Sequence, residues 1–193
     1  EEDVLAQASD NQMDPQFVWA LMRVESYYNT AALSRAGARG LMQVMPSTAR
    51  YLLWVNGRKG EKVDLFDPPT NISMSVGLLA RLAKRFDHRK PLMAAAYNAG
   101  SGRVKRWLNE SATVELGRWV EEIPINETRN YVQRVVEYDK AESSVVASQF
   151  GADYWDGDRR YGYGGYRYDG RWRGMAEAMS EHYGLKAGMR ILD

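Results

Sequence analysis

Asp14-Pro15-Gln16-Phe17-Val18-Trp19-Ala20-Leu21-Met22-Arg23-Val24-Glu25-Ser26-Tyr27-Tyr28 reads as one helix with its start signal attached. Asp14 can accept from the free amides of a first turn, and Pro15 suits the first helical position, where no N–H is needed. Phe17, Leu21, Val24 and Tyr28 then fall on one helical stripe. Val18 and Met22 form the flanking stripe, and Glu25 continues it. A carboxyl is thereby placed beside apolar neighbours at the edge of a buried face. Such surroundings disfavour the ionised form and raise the pKa. A carboxylic acid kept protonated near neutral pH can give its proton to a leaving oxygen, as glycosidic cleavage requires.

Outward from this stretch the helical pattern continues through about residue 140. Pro46-Ser47-Thr48 opens a helix through Tyr51 and Leu52. Thr70 or Asn71 caps a third, in which Ile72, Val76, Leu79 and Ala83 repeat at helical spacing. Pro91 opens a fourth, ended by Gly100, and its Ala94-Ala95-Ala96 run admits a close neighbour. Trp107 and Leu108 follow on a short piece, and a last helix starts near Glu127 and carries Tyr131, Val135 and Tyr138. Asn56-Gly57 and Gly60 mark turns. No period-two alternation and no internal repeat stands out, so the expected class is mainly α.

The 193 residues suit one domain plus a short extra segment, and 45% hydrophobic content is enough for a core. A net charge of +1 argues against nucleic-acid binding by charge. No apolar run is long enough to span a membrane. With no cysteine, disulfides, thiolate metal sites and a cysteine nucleophile are excluded. His88 and His182 leave few candidates for a metal site or a catalytic triad, so no metal is expected. The opening Glu1-Glu2-Asp3 lacks the basic, then apolar, pattern of a signal peptide.

Glu25-Ser26 is followed in order by Ser34 and Gly37, then Gly40-Leu41-Met42-Gln43-Val44-Met45-Pro46, then Ala95-Ala96-Tyr97-Asn98-Ala99-Gly100, and then Glu127-Thr128-Arg129-Asn130-Tyr131-Val132. Together they resemble the soluble-lytic-transglycosylase-like catalytic domain of bacteria over roughly residues 3 to 140. The resemblance implies a goose-type-lysozyme-like helical fold with a substrate cleft. It implies that Glu25 is the single general acid/base, and that Ser34 lies by the scissile sugar and its N-acetyl group. Gln43 and Met45 match groove residues, Tyr97 and Asn98 line the cleft, Glu127 binds the glycan, and Tyr131 hydrogen-bonds and orients the acid. Ser26 and Met42 complete the expected substrate-binding set; their alternatives are a helix-end turn for Ser26 and plain core for Met42. Sugars present hydroxyl edges and apolar faces, so amides, carboxylates, aromatics and Met surfaces are suitable partners.

The activity implied is lytic transglycosylation of peptidoglycan strands at the bond from N-acetylmuramic acid to N-acetylglucosamine, forming 1,6-anhydro ends without a cofactor. The location implied is the bacterial cell envelope, on the periplasmic side. A goose-type lysozyme that uses water, and a non-catalytic glycan-binding module, are the competing readings.

After about residue 142 the character changes, which divides the chain into 1–142 and 143–193. Phe150 to Trp172 is crowded with Tyr, Trp, Gly, Asp and Arg, an irregular extension. Met175 to Gly184 then reads as a helix and Leu185 to Asp193 as a turn into a strand. This tail is similar to the lead-in of a class I S-adenosylmethionine-dependent methyltransferase, but no glycine-rich cofactor loop follows, so no cofactor binding is expected. A methyltransferase fragment carrying the helical part as passenger is the remaining alternative.

Overall fold

The computed structural model describes residues 2–110 and 115–148. They form α1 (Glu2–Asp10), α2 (Pro15–Ser26), α3 (Pro46–Val55), α4 (Pro68–Phe86), α5 (Lys90–Ala99), α6 (Ser101–Glu110), α7 (Leu116–Glu121) and α8 (Asn126–Ser148). Among the described residues there is no sheet; strand-like pairing is confined to the bridges Leu33↔Arg39 and Arg39↔Val44 in the loop between α2 and α3. No described helix is long and apolar enough to cross a membrane. The aromatic segment, helix and strand expected from residue 150 onward lie outside the described residues.

Helix α2 starts as its sequence dictates, with Asp14 accepting from the Gln16 N–H at 3.0 Å and Pro15 in the first turn. It ends earlier than its apolar stripe. Tyr27 and Tyr28 take the left-handed conformation, with φ of 52° and 64°, so Tyr28 leaves the helix and is exposed. Periodicity alone does not register such a turn. Phe17, Val18, Leu21 and Met22 are buried as expected.

Helix α4 runs along the core and touches α1, α3 and α5. Its cap differs from the expected one. Asp67, not Thr70 or Asn71, accepts from the Thr70 N–H at 3.1 Å, and Pro68 takes the first position. The helix therefore begins early enough to carry Asn71 on its inner face. Ile72, Val76, Leu79 and Ala83 are buried there. Small Ala94, Ala95 and Ala96 bring α5 against α4 and α6. Helices α1 and α7, absent from the sequence reading, add Val4, Ala8, Trp119 and Val120 to the same core.

An ionic staple joins three elements. Lys90 Nζ meets Asp14 Oδ2 at 2.6 Å and Asp139 Oδ2 at 2.8 Å, tying the starts of α2 and α5 to α8. These side chains are largely shielded, so the group is screened less than a surface pair.

Asn71 holds the loop before α3. Its side chain is fully buried and fully bonded: Nδ2 donates to Leu65 O at 2.7 Å and Arg39 O at 2.8 Å, and Oδ1 accepts from the Met42 N–H at 2.8 Å. Gly40 passes directly beside it with φ of 72°. A Cβ at Gly40 would stand 2.3 Å from Leu65 O and 2.6 Å from Asn71 Nδ2, so only glycine fits this crossing. Asn71→Ala strands one buried N–H and two carbonyls, each costing about 1–3 kcal/mol. The expected outcome is a melting temperature lower by roughly 10 °C, read by circular dichroism. Gly40→Ala should lower it comparably, and unchanged melting of both variants would contradict the clamp.

Candidate active site

Glu25 stands in the last turn of α2, half-buried. Tyr131, buried on α8, donates its hydroxyl proton to Glu25 Oε1 at 2.7 Å across 106 positions of sequence. Burial pushes the Glu25 carboxyl up to about 7, against the lowering effects of the Tyr131 hydrogen bond and the Arg134 charge. The negative end of the α2 dipole works in the same direction as burial. Such a carboxyl is split between its two forms at neutral pH, so it can give a proton and later take one. Tyr131 is itself held far above the usual phenol range by burial and by the Glu25 charge, so it stays a donor.

Tyr97, near the end of α5, completes the polar group. Its hydroxyl donates to Met42 O at 2.8 Å, and Ser75 of α4, whose own hydroxyl donates to Asn71 O at 2.8 Å, lines one small cavity with it. Its ionisation is pushed up by burial and by the Glu25 charge, and Tyr131 also feels Tyr97. Glu25, Tyr97 and Tyr131 thus share one neighbourhood although they come from three helices.

The loop from Ser34 to Met45 is held from every side. Ser34 Oγ accepts from the Ala38 N–H at 2.9 Å, and the backbones of Ser34 and Ala38 also bond at 3.0 Å. The hydroxyl proton of Ser34 remains available to a ligand. Gln43, with φ of 47°, turns its side-chain amide back to Gly40 O at 2.9 Å and Ala32 O at 3.1 Å. Ser26 Oγ donates to Leu41 O at 2.8 Å. Gln43, Met45 and Tyr97 line a small cavity of about 60 Å³ with Thr48 and Met74.

Two of the expected substrate-binding positions make contacts within the framework. The Met42 side chain is fully buried, so it packs in the core, and only its backbone carries polar contacts toward Tyr97 and Asn71. Ser26 donates its hydroxyl proton to Leu41 O at 2.8 Å, a contact with the loop fifteen positions away. Asn98 is exposed on α5, and its Oδ1 accepts from the hydroxyl of buried Thr128 at 2.8 Å, which leaves the amide NH₂ as the donor end. Glu127 is exposed in the first turn of α8, one turn before Tyr131. The sequence reading leaves out Ser75 and Arg134, and it offers Asn71 only as a helix cap and Thr128 only as a member of its block. Asn71 and Ser75 show the one available signal, polar residues four apart within an apolar helical face. Among the described residues no group of three or more His, Asp or Glu is placed to hold a metal ion.

The raised Glu25 carboxyl makes a prediction about stability. Its folded pKa, about 7, lies above the ordinary 4.5, so the folded chain binds the proton more tightly. Stability from this group is complete below about 4.5 and is lost as pH rises through 7, by at most about 3 kcal/mol before solvent screening. Glu25→Gln should therefore melt several degrees above the wild type at pH 8 and near it at pH 4.5. Parallel melting curves across that range would refute the buried-acid description.

Residues 3–119 match the Transglycosylase SLT domain family. The chain is 38% identical over 134 residues to the soluble lytic murein transglycosylase of Escherichia coli, covering 68% of this chain and 21% of that protein. It is 39% identical over 127 residues to the protein of that name from Salmonella typhimurium, covering 64% and 20%. The chain thus spans about a fifth of the length of these curated relatives. Among solved structures, the 70 kDa soluble lytic transglycosylase of Escherichia coli superposes with a TM-score of 0.71 at 33% identity, over 83% of this chain and 25% of that one. Lytic transglycosylase Slt of Pseudomonas aeruginosa, in an inactive Glu-to-Gln form, gives 0.70 at 32% identity over 75% and 24%. The helical lysozyme-like architecture and the matched residues agree, and the chain belongs to the Transglycosylase SLT domain family.

Proposed function

We propose that this chain is a peptidoglycan lytic transglycosylase with Glu25 as its acid and base. One observation carries the reading: a carboxyl with a pKa near 7 that accepts the Tyr131 hydroxyl at 2.7 Å. Glu25 protonates the oxygen linking N-acetylmuramic acid to N-acetylglucosamine, and that C–O bond breaks. The substrate's N-acetyl carbonyl stabilises the cation left at the anomeric carbon. Glu25, now a carboxylate, removes the proton of the muramic acid 6-hydroxyl, whose oxygen closes on the anomeric carbon to give the 1,6-anhydro ring. The proton returns to Glu25, and no water enters the product. The closure is intramolecular and gains from high effective concentration.

The surrounding polar groups support the assignment. Ser34 offers a hydroxyl, Asn98 an amide NH₂, Gln43 its amide oxygen and Glu127 a carboxylate, all suited to sugar edges, and Met45 offers an apolar surface. The relatives' names speak of murein, and the Pseudomonas aeruginosa relative is inactive in its Glu-to-Gln form. The proposed substrate is the glycan strand, the proposed location the bacterial cell envelope on its periplasmic side, and no cofactor is involved. We place the catalytic domain in 1–142, with 143–193 as a separate extension.

Mass spectrometry of digested peptidoglycan tests this directly. Anhydro-muropeptides are expected from the wild type, and Glu25→Gln should lose roughly 10³-fold in turnover. Products heavier by one water would make the chain a hydrolase, and full turnover by the variant would end the assignment of Glu25. The pH profile gives a second check. The reaction starts from protonated Glu25, so kcat/KM should fall as pH rises above about 7. Tyr131→Phe removes a bond that lowers the Glu25 pKa, so it should move that fall to higher pH while costing turnover about tenfold. An unmoved alkaline limb would deny Tyr131 its orienting role.

A further inference from the structure

Thr128 joins a buried residue to an exposed one. It lies in the first turn of α8 and is only 2% exposed, whereas Asn98, its partner near the end of α5, is exposed. The Thr128 hydroxyl donates to Asn98 Oδ1 at 2.8 Å across 30 positions of sequence. Among the described residues this oxygen is the acceptor of that buried proton. A primary amide has an acceptor end and a donor end, and half a turn about its last torsion exchanges them. An unheld asparagine can therefore show a ligand either end. Here the exchange would set the amide N–H against Thr128 and strand a buried hydroxyl proton, which is costly. The bond thus leaves both N–H groups of Asn98 for an outside partner.

We infer that Thr128 is a positioning residue for glycan binding, whose hydroxyl holds the Asn98 amide as a pure donor that selects an acceptor oxygen on the sugar. The identity of the ligand rests on the proposed function; the fixed donor rests on the bond itself. Contacts place this pair beside the acid. Thr128 and Tyr131 are three apart on α8, so they are neighbours along the helix surface. Tyr131 reaches Glu25 at 2.7 Å. Tyr97, next to Asn98, feels the Glu25 charge and bonds Met42 O at 2.8 Å. Two hydrogen bonds about one helical turn apart therefore tie α8 to its neighbours, one to the acid on α2 and the other to the donor on α5. A donor held in this way suits a carbonyl, ether or hydroxyl oxygen and disfavours an N–H group.

The test is calorimetric titration of the full chain with the N-acetylglucosamine tetramer, in a Glu25→Gln parent so that no ligand is cut. Thr128→Val keeps the shape and loses the hydroxyl, and should weaken binding about tenfold. Thr128→Ser keeps the hydroxyl and should bind within about twofold of the parent. Asn98→Asp leaves Thr128 its acceptor but replaces the donor end with a second acceptor, and should weaken binding at least as much as Thr128→Val. Once Asn98→Ala has removed the amide, adding Thr128→Val should cost nothing further, which a mere loss of packing would not obey. In the active chain, Thr128→Val should raise KM for glycan strands about tenfold and leave kcat and its pH profile unchanged. Undiminished affinity of Thr128→Val or of Asn98→Asp would overturn the inference. So would Thr128→Ser binding no better than Thr128→Val, a full further loss in the double variant, or no binding by the parent. Asn98→Asp alters an exposed group, so it reads the donor even where Thr128→Val does not fold. A chain that binds with this pattern but releases no anhydro-muropeptide overturns the proposed activity and leaves the positioning role standing.

Discussion

The buried amide of Asn71 is the constraint on which the rest of the site depends. It satisfies Leu65 O, Arg39 O and the Met42 N–H at once, deep in the protein where water cannot replace any of them. A buried polar group with all partners in place fixes geometry far better than apolar contact does, because each misplacement leaves a costly unpaired atom. The loop from Ser34 to Met45 has almost no regular structure of its own, yet it is pinned by side chains of α2, α4 and α5 through Ser26, Asn71 and Tyr97. Gly40 is the complement of that clamp, since any side chain there would occupy the space of the Asn71 amide.

A loop held so firmly lets the neighbouring acid be buried without being lost. Burial raises the Glu25 carboxyl, and the Tyr131 hydroxyl and the Arg134 charge limit the rise to about 7. The balance is electrostatic and local. Too little burial leaves a carboxylate that cannot donate, and too much leaves an acid that cannot later accept. Tyr131 reaches this position because α8 lies against the core through Val132 and Val135, and because Lys90 ties Asp139 of the same helix to the start of α2. The two ends of α2 are thus joined to α8, one by an ionic staple and the other by the Tyr131–Glu25 hydrogen bond.

The helices were largely legible in the sequence, and the reasons for the exceptions are physical. Capping chemistry and apolar spacing located α2, α3, α4, α5 and α8 to within a few residues. They fail at Tyr28, where a left-handed turn ends the helix before its stripe does, and at the start of α4, where Asp67 caps the helix ahead of Thr70 and Asn71. Helices α1 and α7 were missed because each buries only a narrow face. Met42 and Ser26 show what local sequence leaves open. A residue inside a binding segment can point to the core or bond the backbone, and nothing in its neighbours' identities says which.

By itself the sequence determined a mainly helical chain, a glutamate placed at the edge of an apolar face, and the set of polar blocks from which a cleft is made. Those properties follow from local periodicity, capping and residue chemistry, which act over a few positions. Local residue chemistry did not bring Tyr131 to Glu25, a meeting that only the family resemblance implied. The tertiary structure gave that contact its geometry, and it decided that Thr128 holds Asn98 and that Asn71 is a clamp rather than a cap. Each of those pairs is separated by 29 to 106 positions. Their meeting depends on how whole helices pack, and so does the depth of burial that moves the pKa of Glu25.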